Sequence, residues 1–334
     1  MTFAIVVGAL LVLLAAGFVF QKLGERADAR RFPPLGSMVD VGTHRLHFVH
    51  KGPPRGPTVV IEQGAGGPCV LWWPIVERVA SFASVCAYDR AGIGSSEPAP
   101  RAHTPLESAN ELRALLERAG VPGPYILVAH SYGGLIARLF ARDHRGEVAG
   151  LVLVDTMEEG VHFQPDVMAL YKRFRLMLAV MTLAARFGVL RLLAKFARQE
   201  KSNLPAEVSA RADLLGRSPA LFQGMSADMR TLHFYDPSMR RPGATGDLGD
   251  LPLIVITHGQ PFPGTVAVLE KYWGAAQQRL GALSTRGELV VARNSNHMIQ
   301  ADEPDVVIDA IRRVYESATL RGATGRGISA APPV

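Results

Sequence analysis

Short apolar runs alternate with amphipathic segments along most of the chain. Residues 58–62 (TVVIE), 125–130 (YILVAH) and 148–154 (VAGLVLV) are apolar runs of strand length. Between them, residues 104–119 carry apolar positions at helical spacing, with Thr104 as the predicted N-cap and Glu107 three residues later. Apolar strands that alternate with helices are typical of a parallel sheet covered on both faces. The pattern therefore predicts an α/β fold with a mostly parallel, doubly wound sheet.

This alternation stops between residues 157 and 249, where the pattern is helical and no strong strand is visible. The sheet resumes with LPLIVITHG, and the last predicted strand is followed by a helix at Asp305–Glu316. The tail after it has no periodicity, which is typical of disorder. We therefore divide the chain into an N-terminal apolar helix (residues 1–21), a linker (22–37), a two-part core (38–157 and 249–316), a helical cap (158–248) and a disordered tail (317–334).

The N-terminus carries an uncharged apolar run, Phe3–Phe20. Eighteen helical residues span about 27 Å, just enough for the hydrocarbon core of a bilayer. The alternative is a cleaved signal peptide, since ADA at 27–29 resembles a cleavage site, but no basic residue precedes the run. Basic residues follow it at 22, 26, 30 and 31, so the positive-inside rule predicts an anchored protein with its C-terminal body in the cytoplasm. Signal cleavage would instead predict export.

Composition excludes several classes of function. The net charge of +6 is not gathered into a basic run with interleaved aromatics, which argues against a nucleic-acid partner. The chain has two cysteines, Cys69 and Cys86, and no C-x-x-C spacing. We expect two buried free thiols, and the sequence implies neither a metal nor an organic cofactor.

The segment AHSYG at 129–133 lies between a predicted strand and a predicted helix. This context is the one that a nucleophile elbow requires, although Ala129 replaces the first glycine of the G-x-S-x-G pattern. At such an elbow the hydroxyl of Ser131 would enter a cleft at the N-terminal end of a helix, whose dipole favours developing negative charge. Ser131 is therefore the candidate nucleophile.

A serine needs a general base, and an acyl-transfer site needs two oxyanion donors. The candidate base is His297, which follows the last predicted strand at the same sheet edge as the elbow. The backbone N–H of Tyr132 is one predicted oxyanion donor. The backbone N–H of Ala65, in the glycine-rich turn QGAGG, is the other.

The order QGAGG, YDRAGIGSS, AHSYGG, LVLVDT and SNH resembles the α/β-hydrolase fold superfamily, from about Met38 to Tyr315. The resemblance implies a Ser–His–acid triad, a helical cap inserted after the sixth strand, and a structural role for the DRAGIGSS loop beside the oxyanion turn. Members commonly carry the acid after the seventh strand, but THGQPFPG there has no carboxylate before Glu270. Some members place it after the sixth strand, so Asp155 is the predicted acid. Glu158 or Glu159 is the alternative, with Asp247 or Asp250 reaching in from elsewhere as a further one.

The cap region is basic. Residues 172–201 contain eight Lys or Arg and one acid. Such a segment suits either an anionic membrane surface or a cap packed on the sheet with its charges in water. Trp72 and Trp73 follow the oxyanion turn and are candidates for an apolar substrate pocket, with core packing as the alternative.

Together these features predict a serine hydrolase of carboxylic esters with an apolar small-molecule substrate. An amidase, thioesterase, lactonase or carbon–carbon bond hydrolase would use the same residues. A non-catalytic binding protein of the same fold is the remaining alternative.

Overall fold

The computed structural model describes residues 1–101, 103–196, 204–231, 243 and 245–326. At its centre is one eight-stranded sheet in the order β1-β2-β4-β3-β5-β6-β7-β8. The pairs β1–β2 and β2–β4 are antiparallel and the remaining pairs are parallel. The strands are β1 Ser37–Asp40, β2 Arg45–Lys51, β3 Thr58–Glu62, β4 Val85–Tyr88, β5 Tyr125–His130, β6 Val148–Val154, β7 Leu253–His258 and β8 Gly287–Ala292.

Helices connect the strands and cover both faces of the sheet. They are α1 Thr2–Arg31, α2 Trp73–Val79, α3 Pro105–Arg118, α4 Gly133–Asp143, α5 Glu159–His162, α6 Pro165–Arg186, α7 Val189–Leu193, α8 Ala206–Leu215, α9 Pro219–Thr231, α10 Glu270–Gly281, α11 Ile299–Asp302 and α12 Pro304–Arg326.

Two buried clusters hold this arrangement together, one on each face of the sheet. Helices α3, α4 and α10 pack on one face, and α2 and α12 pack on the other. Every residue of β3, β4 and β5 is buried, because these central strands have helices above and below them. The α/β fold predicted from the alternation is confirmed.

The N-terminus of α3 has the capping box that the sequence predicts. The Thr104 hydroxyl accepts a hydrogen bond from the Glu107 N–H, and the Glu107 carboxylate accepts one from the Thr104 N–H. Both amides would otherwise lack an intrahelical partner, so the pair fixes the first turn.

The cap helices α5 to α9 lie between β6 and β7 in the chain. Residues 197–203, 232–242 and 244 of the predicted cap lie outside the described residues. The long helix α1 precedes the sheet, and no residue of its apolar run Phe3–Phe20 is buried.

The end of the chain differs from the expectation. Helix α12 continues to Arg326, ten residues beyond the predicted end at Glu316. The sequence TLRGATGR lacks apolar periodicity, but a helix that is already nucleated can extend through such residues because each added residue gains a backbone hydrogen bond. The part of the predicted disordered tail from 327 to 334 lies outside the described residues.

Candidate active site

The turn between β5 and α4 places Ser131 in a left-handed conformation, with φ = 50°. Non-glycine residues rarely adopt this conformation, and it costs energy that the surroundings must offset. The backbone carbonyl of Ser131 accepts hydrogen bonds from the N–H groups of Gly134 and Met157, both at 3.1 Å. The turn is therefore held from both sides while the hydroxyl remains partly exposed.

The two glycines after Ser131 are required by close packing. A Cβ at Gly133 would lie 2.4 Å from the carbonyl oxygen of Gln63, at the end of β3. A Cβ at Gly134 would lie 2.4 Å from Cβ of Thr156, just beyond β6. The first glycine position of the G-x-S-x-G pattern, two residues before Ser131, holds Ala129, whose methyl group is fully buried in β5.

The side chain of His297 lies next to Ser131. Its Nε2 is 2.9 Å from the Ser131 Oγ, and its Nδ1 is 2.6 Å from Oδ2 of Asp155. The imidazole side chain is 25% exposed, so it borders both the core and the solvent. A proton can pass between Oγ and Nε2 at this distance.

His130 supports the loop that carries His297. Its Nε2 donates a hydrogen bond to the carbonyl oxygen of His297 at 2.9 Å, and the two rings lie 4.6 Å apart. Complete burial, together with the neighbouring His297, lowers the pKa of His130 to about 3. His130 is therefore neutral and holds the backbone of the loop.

The carboxylate of Asp155 is completely buried directly after β6. Its backbone is left-handed, with φ = 46°. Among the described residues, Asp155 and Ser131 are the two non-glycine residues with a positive φ. Besides His297, its oxygens accept hydrogen bonds from Trp273 Nε1 at 2.8 Å, from the His258 N–H at 3.1 Å and from His258 Nδ1 at 2.7 Å. Burial alone would raise the pKa of Asp155, but the hydrogen bonds from His258 and His297 outweigh it and hold the pKa well below its usual range.

The other candidate acids have different partners. Glu158 accepts hydrogen bonds from the Gly160 N–H and from Arg279, and Glu159 pairs with Arg138. Asp247 accepts from the Gly249 N–H, and Asp250 pairs with Arg321. Of the five acids considered from the sequence, Asp155 is the one that the structure brings to His297.

A second histidine, which the sequence did not predict, contacts this carboxylate. His258 ends β7, at the point where related chains commonly carry the acid, and its Nε2 lies 3.1 Å from Oε1 of Glu270. Its two ring nitrogens thus face the carboxylates of Asp155 and Glu270, which only accept hydrogen bonds when ionised. His258 can donate to both only as an imidazolium. Burial lowers the pKa of His258, but Asp155 and Glu270 outweigh it and raise the pKa above its ordinary value.

An aromatic cluster surrounds the two histidines. Phe262, in the loop after β7, contacts His258, His297 and Trp273 with ring centroids 4.7, 5.2 and 5.0 Å apart. Phe262 and Trp273 are buried, so these rings exclude water from the side of Asp155 that His297 does not cover. The signal that could have found this cluster is position, because β7 ends beside β6 in a parallel sheet.

The glycine-rich turn after β3 lies against the elbow. A Cβ at Gly64 would lie 3.3 Å from Cβ of Ser131, so a side chain there would crowd the serine. Within the described part of the chain, the backbone N–H groups of Ala65 and Tyr132 have no recorded acceptor. The arrangement leaves both predicted oxyanion donors available to a substrate oxygen.

The same turn is tied to the cap. The Gly66 N–H donates to Oδ2 of Asp228, on α9, at 2.9 Å. Arg90 donates to the same oxygen at 2.8 Å and to the carbonyl oxygens of Gln63 and Gly64 at 2.7 Å each. Arg90 belongs to the DRAGIGSS loop, which thus packs beside the oxyanion turn. Its guanidinium joins the cap to the backbone of the turn.

The predicted substrate pocket at Trp72 and Trp73 needs correction. Trp72 is fully buried in the core cluster on the α2 side, where its ring packs against the edge of His130. Trp73 lies beneath Lys51, whose Nζ is 4.9 Å from its ring centroid. The side chain of Trp72 therefore lies in the core, and that of Trp73 lies against Lys51 of β2.

Among the described residues, one group of side chains has donor types that could hold a metal. Ligand atoms of His47, Cys69 and Asp89 lie within 4.8 Å of one another, and all three residues are buried. The Asp89 carboxylate, however, already accepts hydrogen bonds from the backbone of Cys69 and Ser95 and from His47. Burial raises the pKa of the Cys69 thiol, and Asp89 raises it further, so the thiolate that a metal prefers is disfavoured. We interpret this group as a structural brace. Cys69 and Cys86 are both free and buried, as predicted.

Comparison with known proteins gives consistent results. Residues 57–240 match a family model described as the alpha/beta hydrolase fold. The chain is 27% identical to the protein YqjL of Bacillus subtilis over 281 residues, which covers 83% of this chain and 91% of that one.

Solved structures resemble the fold over nearly their whole length. A putative lipase from Acinetobacter baumannii superposes with a TM-score of 0.63 at 19% identity, covering 90% of this chain and 97% of the lipase. A thermophilic esterase from Thermogutta terrifontis gives a TM-score of 0.63 at 20% identity, covering 85% of this chain and 98% of the esterase. At these identities the likeness concerns the fold.

Proposed function

This chain belongs to the α/β-hydrolase family, and we propose that it is a serine hydrolase that cleaves carboxylic esters of apolar substrates through an acyl-enzyme. The observation that carries the proposal is the hydrogen-bonded series from the Ser131 Oγ through His297 to Asp155, with distances of 2.9 and 2.6 Å. Nucleophile, base and orienting carboxylate at such distances are the arrangement that acyl transfer needs.

The first half of the reaction forms the acyl-enzyme. The Ser131 Oγ attacks the ester carbonyl carbon while His297 Nε2 takes the hydroxyl proton. The carbonyl oxygen becomes an oxyanion, which accepts hydrogen bonds from the backbone N–H groups of Ala65 and Tyr132. The bond to the alkoxy group then breaks, and His297 gives its proton to the departing alcohol.

Water completes the reaction. His297 takes a proton from a water molecule as the water oxygen attacks the acyl carbon. The bond to Oγ breaks, the proton returns to Ser131, and the carboxylic acid leaves. In both halves Asp155 holds the imidazole in the tautomer with its proton on Nδ1 and stabilises the cation that forms.

His258 and Trp273 have supporting roles in this mechanism. They fill the remaining acceptor positions of Asp155, so the carboxylate cannot rotate away from His297. The positive charge of His258 also offsets part of the negative charge of Asp155, which tempers the basicity of His297.

The N-terminal helix is part of the proposal. Helix α1 has 30 residues and is long and apolar enough to cross a bilayer, and none of its most apolar window is buried. We assign it as a membrane anchor, with the catalytic body on the cytoplasmic side because the basic residues follow the apolar run. A cleaved signal sequence is the alternative.

The test is hydrolysis of p-nitrophenyl esters of increasing acyl length by the full chain in detergent micelles. We expect activity in the parent protein, a loss of at least about a thousandfold in Ser131→Ala, and labelling of the parent alone by a fluorophosphonate probe. The matched control is Ser81→Ala, which removes an exposed serine after α2 and should leave the rate unchanged.

Two other outcomes would redirect the assignment. A parent that reacts with the probe but prefers an amide, a thioester or a lactone keeps the serine mechanism and changes the substrate class. A folded parent that neither hydrolyses any ester nor reacts with the probe would refute the proposal and favour a binding protein.

A further inference from the structure

The cap exposes several large apolar side chains that the catalytic mechanism does not use. Exposed fractions reach 69% at Leu176, 58% at Leu193 and 80% at Phe196. On α6 the exposed apolar residues recur at helical spacing, so they form a stripe along one side. We call six of them the cap ridge: Leu176, Val180 and Leu183 on α6, Leu192 and Leu193 on α7, and Phe196 just after it. Soluble monomers rarely leave so many large apolar side chains of neighbouring helices in water.

The corner between α6 and α7 packs directly on helix α1. A Cβ at Gly17 would lie 2.4 Å from the carbonyl oxygen of Phe187, and a Cβ at Gly188 would lie 2.8 Å from the ring of Phe20. Glycine at both positions therefore lets the two backbones approach closely. The φ of Gly188, 73°, also makes the sharp change of direction between α6 and α7.

Polar contacts fix α7 along the next turns of α1. Arg191 donates to Oε1 of Gln21 at 3.2 Å and to Oδ2 of Asp28 at 2.6 Å. The Nζ of Lys195 lies 5.2 Å from the ring centroid of Phe20. The cap corner and α1 are thus joined by packing, by charge-assisted hydrogen bonds and by a cation–π contact.

These contacts set the height of the cap relative to a bilayer. The apolar run of α1 ends at Phe20, and Gln21 and Lys22 begin the polar part. The cap corner touches α1 at Gly17 and Phe20, within about 5 Å of that end at ~1.5 Å rise per residue. If α1 crosses a bilayer, the cap corner lies at the boundary between the hydrocarbon and the headgroups.

The charges around the cap ridge suit an anionic surface. From Tyr171 to Phe196 the chain contains no acidic residue. Lys172, Arg173 and Arg186 are exposed on α6, and Lys195 is exposed just after α7. Exposed basic residues beside an exposed apolar stripe are the pattern of a helix that lies in the membrane interface.

We propose that the cap ridge is seated in the headgroup–acyl boundary of an anionic membrane, beside the point where α1 enters the bilayer. This inference rests on the proposed anchor and is independent of the proposed chemistry. The cap that is tied to the oxyanion turn would then face the lipid phase, where apolar esters concentrate.

The experiment measures lipid contact at three positions of the full chain in vesicles of equimolar phosphatidylcholine and phosphatidylglycerol. Single cysteines at Val12→Cys in α1, Leu193→Cys in the cap ridge and Leu289→Cys in β8 carry an environment-sensitive fluorophore. Leu289 is the matched control, because it is an exposed leucine at the sheet edge opposite β1. The native cysteines are buried, so labelling of the unsubstituted chain measures the background. The vesicles contain lipids spin-labelled either near the glycerol backbone or near the acyl-chain end.

We expect the spin label near the glycerol backbone to quench the fluorophore at position 193 by roughly half. The spin label at the acyl-chain end should quench the fluorophore at position 12. Neither spin label should quench the fluorophore at position 289. If position 12 is quenched and position 193 behaves like 289, the cap ridge faces water or another protein copy. The inference is then overturned while the anchor stands. If position 12 is not quenched, the anchor proposal fails, and this inference fails with it.

Discussion

The substitution His258→Asn tests whether Asp155 lies between two histidines of which one is charged. The asparagine amide can take the place of Nδ1, so Asp155 keeps a donor there. The substitution removes the positive charge and the group that faces Glu270. It therefore changes the electrostatics around Asp155 with little change in its hydrogen bonding.

The size of the effect follows from the geometry. Nδ1 of His258 and Nδ1 of His297 each lie within 2.7 Å of the same oxygen of Asp155, so they are at most about 5.4 Å apart. Two unit charges at that separation repel by about 3 kcal/mol at an effective dielectric constant of ~20. That energy corresponds to about two pH units, and the partial exposure of His297 reduces it.

Removing the charge of His258 stabilises the protonated form of His297, which cannot act as a base. The acid limb of the pH profile of kcat/KM should therefore move upward, by about one to two pH units, while the alkaline plateau changes little. The assay is initial-rate hydrolysis of one p-nitrophenyl ester between pH 5 and pH 9, conditions that span the ordinary range of histidine.

Folding stability supplies a second readout. Because the pKa of His258 is raised, its stabilising effect is complete below the pKa of histidine in the unfolded chain and is lost as the pH rises through the folded value. The parent should lose stability as the pH rises above about 6.5, and His258→Asn should lack that decline. The variant should also be less stable at pH 6 by about 1 kcal/mol, because the hydrogen bond from His258 Nε2 to the partly exposed Glu270 carboxylate is lost.

An unchanged acid limb in a folded His258→Asn variant would refute the reasoning, because it would mean that His258 is neutral at working pH. Glu270→Gln is the companion control. It keeps the imidazole in place and removes one of the two negative charges that stabilise its cation, so the decline in stability above about pH 6.5 should be smaller and should end at a lower pH.

Two further predictions concern the elbow and the cap. Gly134→Ala should destabilise the protein by about 1–3 kcal/mol in urea unfolding, because the new Cβ would lie 2.4 Å from Thr156. The control is Gly274→Ala in α10, where the new Cβ would meet no neighbouring segment within 4 Å. This substitution should instead stabilise the protein by about 0.5–1 kcal/mol. Equal effects at the two positions would contradict the packing argument. Asp228→Asn should lower the stability by about 1.5–3 kcal/mol and should lower kcat at least severalfold, because a neutral amide is a weaker acceptor for the Gly66 N–H. An unchanged kcat would show that this contact does not position the oxyanion turn.

The sequence predicts the features whose signals are local. The capping box of α3 is visible because its two residues are three apart, and the elbow is visible because a strand, a serine and two glycines follow one another. The parallel sheet follows from the length and spacing of apolar runs. The prediction of Asp155 as the acid also rests on a local signal, because it is a carboxylate immediately after a buried strand.

The parts that the sequence did not predict depend on contacts between distant segments. His258 and Trp273 reach Asp155 across 103 and 118 residues, and no periodicity links them. The sequence left Trp72 and Trp73 between a substrate pocket and the core, because proximity to the oxyanion turn in sequence does not determine the direction of a side chain. The last turns of α12 were missed because helix continuation there does not depend on an apolar face.

The contact between Asp228 and the oxyanion turn has a consequence for how this protein can change. Cap segments inserted between two strands of a sheet resemble exchangeable modules, and a single recombination event between relatives could replace one. Here the incoming segment would have to bring its own carboxylate to the same place, or leave a buried guanidinium at Arg90 and the Gly66 N–H with a weaker set of acceptors. New substrate ranges are therefore easier to reach by single substitutions within this cap than by acquiring a different one.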